Sequence, residues 1–110
     1  MKTIATAMTA SNLFGMFMRV EIVVRSGNGW AQATVYYSVT RDGGKVGKGR
    51  HECAQVFTDN VMDRGTRNAL RRSINSFAID SFNSNLEVLQ ELGSCVFDLL
   101  PLISNQLCEY

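Results

Sequence analysis

The stretch MFMRVEIVVRS at 16–26, then GNG at 27–29 and WAQATVYYSVT at 30–40, constrains the fold more than any other feature. In the first segment Met18, Val20, Ile22 and Val24 alternate with Arg19, Glu21 and Val23. A period of two with one apolar face is the signature of a half-buried strand. Gly and Asn tolerate positive φ, so GNG reads as a hairpin turn. The return strand puts Ala31, Ala33, Val35, Tyr37 and Val39 on one face and Trp30, Gln32, Thr34, Tyr36 and Ser38 on the other. RDGGK at 41–45 is a second turn, and VGKGRHECAQVFT at 46–58 reads as a third long strand. Residues 3–9 suit either a strand or a short helix, so a fourth strand forms if the N-terminus pairs.

The pattern changes near Asp59. Asn60 with Asp63 three residues on approximates a capping box, and a helix is expected from there to about Phe82. Leu70, Ile74 and Phe77 line one face, with Arg64, Arg67 and Arg71 on a neighbouring one. Asn83, Ser84 and Asn85 end it. Residues 86–100 read as a second helix, although LEVLQ alone also suits a strand. Pro101 is expected to break or kink this element, leaving a short apolar tail. The expected fold is α+β: an antiparallel three- to four-stranded meander followed by two helices packed on one face. With 110 residues this is one domain.

Charge is unevenly spread. The net is +1, but residues 1–40 carry +2, residues 41–72 carry +4, and residues 73–110 carry −5 with no Lys or Arg. A basic middle attracts anions, and an acidic C-terminal part repels them or docks on a basic partner. Lys45, Lys48, Arg50 and His51 sit on a bare, glycine-rich strand that can approach an anion closely. Arg67 and Arg71 can hold phosphate through guanidinium forks. These six are the candidate ligand-binding residues. Trp30, Tyr36 and Phe82 are candidates for stacking a base.

Several chemistries are excluded. GGKVGKGRH is not a phosphate-binding P-loop: Arg50 and His51 stand where Lys and Ser/Thr are needed, and the segment lies between strands. The dinucleotide glycine pattern fails at Glu52. Cys53, Cys95 and Cys108 have no CxxC spacing, and with His51 alone they make a poor zinc set; free buried thiols in a reducing compartment are expected. His51 and Cys53, two apart on a strand, could form a nucleophilic pair, a reading ranked last. No catalysis and no cofactor are expected. No stretch approaches a membrane span and the N-terminus is too polar for a signal peptide, so a cytoplasmic protein is expected.

In order and length the chain resembles small phage-encoded anti-defence proteins. MKTIATAMTASNLFGMFMRVEIVV with GGKVGKGRHE is similar to the start of some short anti-CRISPR proteins. The meander-then-helices order is similar to the Thoeris anti-defence sponge family, which sequesters cyclic nucleotide signals. The resemblance implies a viral protein acting in the host cytoplasm. The expected function is binding of a phosphate-bearing nucleotide, or occupation of a host nucleic-acid-binding factor. The alternative is an interaction or inhibitor module that engages a host defence protein through its acidic C-terminal half or exposed aromatics. A homo-oligomer is expected, because Trp30, Tyr36 and Met/Phe neighbours leave apolar area on the second face of the sheet.

Overall fold

The computed structural model describes residues 2–13, 16–41, 43–60 and 63–108, with side chains for 16–41, 43–44, 46–60 and 63–105. The chain runs β1 (Lys2–Leu13), β2 (Met16–Gly27), β3 (Trp30–Arg41), β4 (Gly44–Glu52), β5 (Val56–Phe57), α1 (Arg64–Phe82) and α2 (Glu87–Cys108). The strands form one antiparallel sheet in the order β1-β2-β3-β4, with β5 pairing the first residues of β3. The N-terminal segment is thus a strand, in register from Lys2↔Ser26 to Ser11↔Phe17, with a shift before Leu13↔Met16.

The Asn28-Gly29 loop closes the central hairpin. Gly29 has φ 79°, a value that favours glycine, and Gly27 pairs with Trp30 across the turn. Within the second expected turn, 41–45, Asp42 lies outside the described residues, as do Phe14 and Gly15.

Period-two alternation delivers the core. Met18, Val20, Ile22 and Val24 of β2 and Ala31, Ala33, Val35 and Val39 of β3 are buried on the face that both helices cover. From above, Leu70, Ile74 and Ala78 of α1 and Leu92, Val96, Leu99 and Ile103 of α2 complete the layer. Each fully buried Leu or Ile contributes about 1.5–3 kcal/mol. The helices meet tightly because residue 93 is glycine. A Cβ there would lie 2.6 Å from the Phe82 nitrogen and 2.7 Å from the Ala78 carbonyl oxygen.

Three boundaries differ from the sequence expectation. First, the expected strand 46–58 is two strands. It leaves the ladder at Cys53, whose N–H bonds the Ala33 carbonyl and whose carbonyl accepts from Gln32 Nε2, each at 2.9 Å. Second, Asp63 rather than Asn60 caps α1, its carboxylate accepting from the Gly65 N–H at 3.1 Å. Asn60 instead bonds Thr58 Oγ1 through its N–H, and that hydroxyl receives the buried Thr66 hydroxyl at 2.7 Å. Third, Pro101 lies inside α2, which continues to Cys108. Proline removes one helical bond, but Leu99 and Ile103 on either side are both fully buried, and that burial holds the helix together.

Candidate ligand-binding face

Strand geometry divides the expected anion site. Successive β4 side chains point to opposite faces. Tyr36 pairs with Arg50 and Ser38 with Lys48, so Lys48 and Arg50 lie on the sheet face away from the helices. Val35 pairs with His51, which therefore lies on the helix side, its ring stacked on Phe77 at 4.1 Å and 8°. Arg67, half-buried and engaged within the chain, and the exposed Arg71 belong to α1. The six expected residues therefore do not converge on one surface: Lys48 and Arg50 are separated from His51, Arg67 and Arg71 by the sheet itself. Lys45 pairs with Thr40 through its backbone; its side chain lies outside the described residues.

Neither helix packs on the other face of the sheet, and register arranges that open face in rungs. Arg19 pairs with Ser38 and Ser38 with Lys48, so two cations flank one hydroxyl. The next rung is Glu21–Tyr36–Arg50, and beyond it lies Val23–Thr34–Glu52. Arg19, Glu21, Tyr36, Ser38 and Lys48 line a shallow cavity of about 310 Å³. The Arg25 guanidinium lies 5.8 Å from the Tyr36 ring centroid, a cation–π contact that orients the ring. Arg50 faces Glu52 at 3.6 Å in an exposed pair, which holds it only weakly.

Sequence reasoning named Lys48 and Tyr36 but missed Arg19 and Ser38 as partners. The signal was present: with Gly27 opposite Trp30, counting back along both strands brings Arg19 opposite Ser38. Of the residues expected to make this face apolar, Trp30 and Tyr36 are half-buried and Phe17 is 51% exposed, whereas Met18 is in the core. Arg19, Glu21, Lys48, Arg50 and Glu52 add charge to the same face.

A second cavity, of about 510 Å³, opens on the helix side among His51, Cys53, Ser76, Phe77 and Asp80. Burial pushes the Cys53 thiol up to about 11, so the sulfur stays protonated at neutral pH. Cys53 and Cys95 are free and buried, as expected; the Cys108 side chain lies outside the described residues. Among the described residues no group of three or more His, Cys, Asp or Glu side chains is placed to hold a metal ion. No described helix is long and apolar enough to cross a membrane.

Comparison of the chain with protein-family models, curated proteins and solved structures finds no match.

Proposed function

We propose that this chain is a non-catalytic binding protein that holds a phosphate-bearing nucleotide on the open face of its sheet. The observation that carries this reading is the Arg19–Ser38–Lys48 rung beside Tyr36, lining one cavity. Two cations two strand spacings apart, about 10 Å between backbones, would clamp a phosphate, and the Ser38 hydroxyl between them would donate to a phosphate oxygen. Tyr36, braced by Arg25, offers a ring on which a base can stack. Glu21 offers an acceptor for a ribose hydroxyl or an exocyclic amine. A volume of about 310 Å³ is at the small end of ligand sites and suits one nucleotide unit rather than a long strand. With the resemblance to anti-defence proteins, the reading becomes sequestration of a nucleotide signal in a host.

The test is calorimetric titration with ADP and with cyclic dinucleotides, paired with native mass spectrometry of freshly purified protein. The latter reports retained ligand and subunit count together. Arg19→Ala and Lys48→Ala should each weaken binding about tenfold or more, since a charge-assisted hydrogen bond contributes about 1.5–3 kcal/mol. Arg71→Ala should leave it unchanged, and affinity should fall with salt. Equal affinity in Lys48→Ala and wild type would overturn the proposal.

A further inference from the structure

The two edges of the sheet are built differently. β4 carries glycines, a register shift between Val39 and Thr40, and the exposed charges of Lys48, Arg50 and Glu52; β5 covers the rest of that side. Bulges, charges and short covering strands discourage strand addition. β1 has none of these over most of its length. It runs twelve residues without proline, Lys2 is its one charged residue, and its register shifts only at its end, between Ser11 and Leu13. Among the described residues no strand pairs with its outer side. Every second residue there turns its N–H and C=O outward.

α2 packs against α1 and, among the strands, chiefly on β1, so it lies above this edge. Its side facing α1 is fixed by Gly93, which sits against Ala78 and Phe82. At about 100° per residue, Glu91 lies about 200° around the helix from Gly93. Glu87 and Asp98 share its stripe, one and two helical turns away. The carboxylates therefore line the flank of α2 turned away from α1, over the outer side of β1. Cys95 marks the same flank: burial first, then the charges of Glu91 and Asp98, push its thiol up to about 11. Among the described residues none of the three carboxylates is in an ion pair.

We infer that the outer edge of β1, with the Glu87–Glu91–Asp98 flank of α2, docks an extended, lysine- or arginine-bearing segment of a partner protein as an added strand. Backbone bonds to β1 supply affinity, and side chains that alternate toward α2 meet the carboxylates. The side chains that alternate toward the open face meet Arg19, Glu21 and Arg25 one strand further in, a mixed set against which uncharged side chains fit. A second copy of the chain is the poorer occupant. Pairing β1 with its own copy about a two-fold axis turns two acidic flanks toward each other on one face of the joined sheet.

The probe is a labelled ten-residue peptide alternating lysine with threonine, read by fluorescence anisotropy and by hydrogen exchange of the β1 amides. The lysine peptide should bind and slow exchange along β1. The glutamate counterpart should not bind, and N-methylation of the lysine peptide's alternate amides, on the side that faces β1, should abolish its binding. The double variant Glu91→Gln, Asp98→Asn should weaken it about three- to tenfold at low salt. Lys48→Ala should leave it unchanged, which separates this surface from the proposed nucleotide site. Equal binding of the glutamate peptide, or unchanged affinity in the double variant, would overturn the inference. So would β1 protection that grows with protein concentration in the absence of peptide, the signature of a second copy.

Discussion

Replacing Gly93 with alanine tests how closely the helical layer is built. The added methyl group would sit 2.6 Å from the Phe82 nitrogen, 2.7 Å from the Ala78 carbonyl oxygen and 2.9 Å from the Phe82 Cα. All three neighbours are backbone atoms, so no rotamer change relieves the contact. Favourable contact begins near 3.5 Å, and α1 and α2 must therefore separate by roughly 0.5–1 Å at their crossing. Overpacking of this kind costs about 1–3 kcal/mol. The intrinsic helix preference of alanine over glycine returns about 1 kcal/mol. The balance is a net loss of about 1 kcal/mol, lowering the melting temperature by about 4–8 °C for a domain near this size. Thermal and urea unfolding, followed by circular dichroism and by the single tryptophan, Trp30, measure it. Gly47→Ala is the control: a Cβ there meets nothing within 4 Å, and its effect should stay within about 0.5 kcal/mol. A Gly93→Ala protein more stable than wild type would refute the close-approach reasoning, because helix preference alone would then decide the outcome.

Two further predictions concern the core. Pro101→Ala should stabilise the protein, because it returns an N–H to the ladder of α2 at an exposed position; the gain is bounded by the cost of about 3 kcal/mol for an interior proline, and urea unfolding reads it. Stability should also fall as pH rises from about 9 to 11: over that window the unfolded thiols of Cys53 and Cys95 lose protons that the folded ones keep, both being raised to about 11, so the unfolded state is favoured. Denaturant midpoints across this range should flatten in the Cys53→Ala, Cys95→Ala protein, and an identical decline there would assign the effect to other groups.

What was legible in the sequence follows from where local pattern and tertiary demand agree. The β2–β3 hairpin was readable because alternation, turn chemistry and burial coincide from Met16 to Thr40. Helices were readable up to Phe82 from the spacing of Leu70 and Ile74, and over 86–100 from that of Leu89, Val96 and Leu99, although LEVLQ alone also suited a strand. The stop at Pro101 was misread because proline is a local signal, and the burial of Ile103 beyond it is not. The break at Cys53 was hidden because it depends on a Gln32 side chain twenty-one residues away. The candidate site was half legible. Residues 45–51 look like one cationic run in sequence, yet a period of two assigns Lys48 and Arg50 to one face and His51 to the other. Arg19 joins Lys48 only through hairpin register, which charge counting along the chain does not see.

The most direct measurement of the central claim is an amide NMR titration of the labelled protein with ADP. The account predicts shifts centred on Arg19, Glu21, Tyr36, Ser38 and Lys48, fading across the sheet and absent from α1. Shifts centred instead on His51, Phe77 and Asp80, or no shifts at millimolar ADP, would contradict it.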